Sequence, residues 1–127
     1  MSSFKPTDEQ QKVLDFNGKN LIVSASAGSG KTSTLIEFIT RLIRNGQPIK
    51  RVLLLTFTKA ASFEMRERLL QNFYEQSDNK NILEAIDDVS TADICTIHAF
   101  LERMIKKNTN SLPIKDGFIV LGCPRRT

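Results

Sequence analysis

The chain has 127 residues, 40% of them hydrophobic and 25% charged. That is enough for one ordinary domain with a real core and too few for two. The composition excludes a disordered or collagen-like chain, and no apolar run approaches the roughly 20 residues of a membrane span. The net charge is +4, and the whole excess lies after residue 98, where Arg103, Lys106, Lys107, Lys115, Arg125 and Arg126 face only Glu102 and Asp116. Such a surplus fits a nucleic-acid partner or a soluble domain with a basic end. Cys95 and Cys123 make neither a disulfide framework nor a CxxC pair, and the first residues show no apolar signal-peptide core. A reducing, cytoplasmic setting without a membrane is therefore expected.

In chain order, Pro6 and Thr7 signal the start of a short helix over residues 6–16, and Asn17-Gly18 a turn. Residues 20–25, Asn-Leu-Ile-Val-Ser-Ala, are apolar and β-branched, which predicts a buried strand. From Lys31 the period becomes helical, with Leu35, Ile36, Ile39, Leu42 and Ile43 recurring every three or four residues until Asn45-Gly46. Residues 51–57 predict a second buried strand. An amphipathic helix follows over about 59–75, with Ala60, Phe63, Leu70 and Phe73 near one face. A polar loop at 76–81, a short helix at 82–89, a strand at 93–97, a helix at 99–107 and a short strand at 118–121 complete the order. Alternating strands and helices are the mark of an α/β fold with a mostly parallel sheet flanked by helices.

The loop after the first predicted strand carries the chemistry. Ala25, Ser26, Ala27, Gly28, Ser29, Gly30, Lys31 and Thr32 fit the phosphate-loop pattern, with Ala in place of the first Gly. Small residues let backbone N–H groups curl around a phosphate, and the helix behind them aims its positive end at the same charge. Lys31 is placed for the β- and γ-phosphates of ATP, and the Thr32 hydroxyl for Mg²⁺. Ser33 completes the candidate loop. The strand before and the amphipathic helix after are the context this motif requires.

Other candidates keep two readings each. A Gln amide can match the N7 acceptor and N6 donor of adenine, but Gln10 taken alone reads as a surface residue at a helix start. Thr56, Phe57, Thr58 and Lys59 lie where the second strand meets its helix, the edge at which open α/β sheets bind ligands. The threonine hydroxyls suit phosphate oxygens. Phe57 is either a stacking platform for a base or a core aromatic ending a strand. His98, the sole histidine, is either a phosphate donor or a helix-start residue, and alone it builds no metal site. Glu64 and Arg68 are spaced as a solvated helix pair. Asp87-Asp88 follows a helical pattern, so it is not read as the acidic pair that ends a strand in phosphate-loop enzymes.

Together these residues resemble the start of a superfamily 1A DNA helicase of the UvrD/Rep kind, and within it the helicase–nuclease subunits of the AddA type. Thr7-Asp8-Glu9-Gln10 is similar to the family's Q motif and Ala25 to Thr32 to its motif I. TFTKAASFEMRERL, residues 56–69, resembles motif Ia, usually TFTNxAAxEMxxRI, and TIHAF at 96–100 resembles the TxHSF motif. The likeness covers about residues 4–121, with 122–127 as a divergent tail.

It implies part of a RecA-like P-loop NTPase domain in which Gln10 contacts adenine. Residues 25–33 would then hold ATP and Mg²⁺, with Lys31 and Thr32 as the catalytic pair. Thr56, Phe57, Thr58, Lys59 and His98 would line the path of single-stranded DNA. It further implies 3′→5′ movement in double-strand-break repair beside a second helicase/nuclease subunit. Two departures stand out: Lys59 replaces the usual Asn, and the acidic motif II and later motifs are not found in the 127 residues. A fragment that binds nucleotide without turning it over is therefore expected. A stand-alone P-loop NTPase or kinase, and a non-enzymatic nucleic-acid-binding module using the basic end, are the alternatives.

Overall fold

Leu53–Thr56 (β1) and Asp93–Thr96 (β2) pair in parallel, in the register Leu53↔Asp93, Leu54↔Ile94, Leu55↔Cys95 and Thr56↔Thr96. The computed structural model describes residues 4–24, 26 and 30–108. Within them the order is α1 (Asp8–Leu14), α2 (Lys31–Arg44), β1, α3 (Lys59–Glu75), α4 (Lys80–Asp88), β2 and α5 (Ile97–Lys107). Parallel neighbours cannot be joined by a tight turn. Here α3 and α4 carry the chain back to the start of β2.

The core lies on one face of this pair. Leu54 and Ile94, side by side in the register, meet Ile36, Ile39 and Ile43 of α2, Leu69 and Phe73 of α3, and Ile82 and Ala85 of α4. Leu69, Phe73 and Ile82 are fully buried. The opposite face, with Leu53 and Leu55, stays about two-fifths exposed. There α5 attaches through Arg103, which donates to Asp93 Oδ1 at 2.8 Å and to Cys95 Sγ at 3.0 Å.

Polar contacts set how the helices align. Thr40 is fully buried on α2. Its Oγ1 donates to the Ile36 carbonyl at 2.8 Å and accepts from Asn72 Nδ2 of α3 at 2.7 Å. Among the described residues no buried side-chain polar atom lacks a partner, as a well-specified core requires.

The helical expectations are met, with shifts in which residues face inward. On α3 the buried pair is Leu69 and Phe73, with Met65 and Leu70 partly covered, whereas Ala60 and Phe63 are exposed. The first turns of α3 begin just after β1, and among the described residues their apolar side chains are not covered by the core. On α2 the apolar residues divide into two stripes. Ile36, Ile39 and Ile43 enter the core, while Leu35, Phe38 and Leu42 face a cleft shared with α1 and residues 16–24.

Residues 20–25 depart from expectation. Described up to Ser24, the segment is irregular rather than a strand, and Ile22 is 95% exposed. A strand needs a neighbour for its backbone groups, and among the described residues β1 and β2 pair only with each other. The expected strand at 118–121 and the tail at 122–127 lie outside the described residues. Asp87 and Asp88 end α4, as read from sequence, and Asp88 lies 3.6 Å from Lys50. Among the described residues no helix is long and apolar enough to cross a membrane.

Because Phe73 is fully buried and Phe63 is 67% exposed, Phe73→Ala is expected to cost about 3–5 kcal/mol of unfolding free energy. Phe63→Ala should stay within about 0.5 kcal/mol. Urea titration of both variants checks the assignment of the inner face of α3.

Candidate functional site

The N-terminal helix is built to hold Gln10 in place. Thr7 caps α1: its Oγ1 accepts from the Gln10 N–H at 3.3 Å, while the Thr7 N–H donates to Gln10 Oε1 at 2.9 Å. This reciprocal capping box fixes the first turn. Leu14 is buried, and Asp15 lies 4.0 Å from Arg41, so α1 sits against α2.

The far end of the Gln10 side chain reaches Gly30. A Cβ on Gly30 would fall 2.7 Å from Gln10 Nε2, and Gly30 has φ +81°, a left-handed conformation that suits glycine. The sequence alone favoured a plain helix-start role for Gln10. The structure shows that capping role and also places the amide over the end of the phosphate loop.

Gly30 is the N-cap of α2 and supplies no side-chain cap, and the first turn has no acid. The N–H groups at a helix start lack intrahelical partners and favour an anion. Lys31, Thr32 and Ser33 form that first turn, with Lys31 and Ser33 exposed and Thr32 half-buried. Ser26 is exposed, and Ala25, Ala27, Gly28 and Ser29 lie outside the described residues. Between α1 and α2 opens a cleft of about 730 Å³ whose lining includes Gln10, Phe16, Lys19, Lys31, Phe38 and Leu42. Its size falls within the range of small-molecule sites, and its lining mixes apolar residues with polar ones that include Glu9. The set fits a nucleoside triphosphate: an amide for a base, a glycine close under it, and an uncapped helix start beside a lysine. Among the described residues no group of three His, Cys, Asp or Glu forms a metal cage. A cation there would share Thr32 with phosphate oxygens.

The other candidates lie on the carboxyl edge of the sheet. Register puts Thr56 and Thr96 side by side, and a helix begins just after each. Thr58 caps α3, its Oγ1 accepting from the Ala61 N–H at 3.0 Å, and Thr96 caps α5, accepting from the Ala99 N–H at 3.2 Å. Two helix starts therefore face the same way. Thr56 donates its hydroxyl to the Thr58 carbonyl at 3.0 Å, so its proton is spent within the turn. Phe57 is 88% exposed, which removes the core-aromatic reading. Lys59 and His98 are exposed in the first turns of α3 and α5. None of these edge residues lines the cleft, so the candidates form two regions, one around Gln10 and Lys31 and one along the edge.

Of the basic end, Arg103, Lys106 and Lys107 lie among the described residues. Arg103 pairs with Asp93, and Lys106 Nζ lies 2.8 Å from Glu102 Oε1. For the Arg103 guanidinium, slight desolvation works against the charge, but the bonds to Asp93 and Cys95 outweigh it and raise its pKa above the ordinary value. Glu64 and Arg68 form the expected exposed pair at 2.8 Å. Sequence reading missed Arg66, whose guanidinium donates to three backbone carbonyls more than twenty residues away. No local pattern announces such a contact.

Residues 6–121 match the model of the UvrD/REP helicase N-terminal domain. The chain is 44% identical over 115 residues to the A-type ATP-dependent helicase/nuclease subunit of Limosilactobacillus reuteri, covering 84% of this chain and 8% of that protein. It is 39% identical over 128 residues to the protein of the same name from Carboxydothermus hydrogenoformans, covering 95% and 11%. It is 38% identical over 128 residues to the exonuclease/helicase subunit RexA of Lactococcus lactis subsp. cremoris, again covering 95% and 11%. The chain thus spans about a tenth of the length of these curated relatives.

Two glycines with positive φ give a controlled comparison. Gly46, at φ +97°, has nothing within 4 Å of an added Cβ, whereas Gly30 meets Gln10. Gly46→Ala is expected to cost about 1–2 kcal/mol of backbone strain alone. Gly30→Ala should cost at least as much and should also weaken binding of a fluorescent ATP analogue, which Gly46→Ala leaves unchanged. Urea unfolding and analogue titration on both variants decide this.

Proposed function

The chain belongs to the family of UvrD/REP helicase N-terminal domains, and from that premise we propose that it is the nucleotide- and strand-binding beginning of an ATP-dependent DNA helicase–nuclease subunit. The parent activity is 3′→5′ movement on single-stranded DNA in double-strand-break repair, in the cytoplasm and beside a second subunit. The names of the relatives, which are helicase/nuclease subunits, support the helicase–nuclease part of this reading. Within the chain the supporting observation is the close approach of Gln10 to Gly30 at the uncapped start of α2.

In this reading Gln10 reads the adenine edge with its amide while the capping box holds the side chain still. Backbone N–H groups around Gly30 and the Lys31 ammonium hold the phosphates, together with Ala25, Ser26, Ala27, Gly28, Ser29 and Ser33. The Thr32 hydroxyl takes one position on Mg²⁺. When bound, Mg-ATP supplies the phosphoanhydride bond whose cleavage drives movement.

Single-stranded DNA runs along the carboxyl edge. The helix starts of α3 and α5, the Thr58 hydroxyl, Lys59 and His98 serve phosphates, and Phe57 stacks on a base. Thr56 shapes the turn that presents Phe57 rather than donating to a phosphate. The described strands end in Thr56 and Thr96, neither followed by an acidic pair. In this reading the described residues bind nucleotide, and their strand ends supply no acidic pair to its turnover.

Lys31→Ala should weaken binding of the fluorescent ATP analogue at least about tenfold with little change in the urea midpoint. Sustained ATP turnover by the chain, or analogue binding that ignores Lys31→Ala, would overturn this function. Phe57→Ala removes one stacking platform, worth about 1–3 kcal/mol per base. It should lower the affinity for oligothymidylate about tenfold while leaving the analogue titration as in the wild type.

A further inference from the structure

We propose that Arg66 is a positioning residue that sets the spacing between the two helix starts on the carboxyl edge, an inference that rests on the strand path proposed above. Arg66 lies in the middle of α3, half-buried. Its Nη1 donates to the Val89 carbonyl, and its Nη2 to the carbonyls of Ala92 at 3.4 Å and Ile94 at 3.1 Å. These three acceptors run from the end of α4, through the 3-10 turn Val89–Thr91, into β2. Two of these carbonyls already accept one backbone N–H each, Val89 from Ala92 at 3.2 Å and Ala92 from Ile94 at 2.9 Å, so the guanidinium takes up their second lone pairs. A planar guanidinium with five N–H groups can serve several at once, which a lysine ammonium on a flexible stem does poorly.

The position of this clamp gives it a consequence beyond stability. Its own helix begins with Lys59, directly after the Thr58 cap. The last carbonyl it holds, Ile94, lies two residues before the Thr96 cap and four before His98. One rigid group thus ties the element that presents Thr58 and Lys59 to the element that presents His98. The strand pairing fixes the height of the two ends, but the two strands found among the described residues have more latitude to twist than a wide sheet. The clamp opposes that twist from the side. With the guanidinium engaged on three carbonyls, Arg66 acts on a bound strand through His98 and its helix start, not by touching a phosphate.

The test is a double-mutant cycle on the whole chain, read as affinity for a fluorescein-labelled oligothymidylate of about 15 nucleotides. Arg66→Met is expected to weaken binding about tenfold and to leave the ATP-analogue affinity within about twofold. Combined with His98→Ala, it should bind no worse than the weaker single variant, because both losses pass through the same corner. Arg66→Lys should recover only part of the loss. Amide hydrogen exchange should quicken at residues 94–96 and stay unchanged in α2.

Additive losses in the cycle, a matching loss of analogue affinity, or unchanged exchange at 94–96 would each overturn the inference. If the wild-type chain binds no oligothymidylate, the strand path itself fails. Exchange then decides the clamp alone: selective quickening at 94–96 upholds it, and uniform quickening overturns it.

Discussion

Parallel pairing of two four-residue strands in one register governs everything that follows from this fold. Because the strands run the same way, both deliver the chain to the same edge. Because Thr56 lies opposite Thr96, the helices that follow start side by side. Each start is closed by a threonine hydroxyl accepting from the third residue on. An antiparallel pair with the same sequences would put these helix starts at opposite ends, and Lys59 and His98 would share no surface.

The proposed nucleotide region depends on a different constraint. Gly30 is suited to its place by its positive φ, and the Gln10 amide lies close against it. That amide is where it is because α1 is capped by Thr7 and docked on α2 through Leu14 and the Asp15–Arg41 contact. The helix behind Gly30 meets the core with one apolar stripe and the cleft with another. These two stripes adjoin on one broad apolar face, which makes α2 the link between its own N-terminus and the sheet.

Long-range polar contacts adjust this frame. Thr40 and Asn72 align α2 with α3, and Arg66 joins α3 to the approach of β2. Arg103 joins α5 to the outer face of the sheet through Asp93 and Cys95. Within the described part of the basic end, Arg103 and Lys106 both face carboxylates.

What the sequence determined by itself was local. The boundaries of α3, the Thr7 cap, the phosphate-loop pattern, the exposed Glu64–Arg68 pair and the helical nature of Asp87-Asp88 all follow from spacing and turn chemistry within a few residues. The fold class followed too, because alternating strands and helices leave few arrangements. Tertiary structure decided whatever depends on a neighbour far along the chain. Residues 20–24 have strand composition, yet no described strand offers them backbone partners. Phe63 fits the apolar period of α3, yet the core does not cover it and it stays in solvent. Phe57 could be core or surface by composition, and only the end of β1 settled it as surface. Gln10 taken alone read as a surface residue at a helix start until α1 was seen against Gly30. The reason is the same each time: periodicity says which side of an element is apolar, but burial and contact depend on what the rest of the chain places against that side.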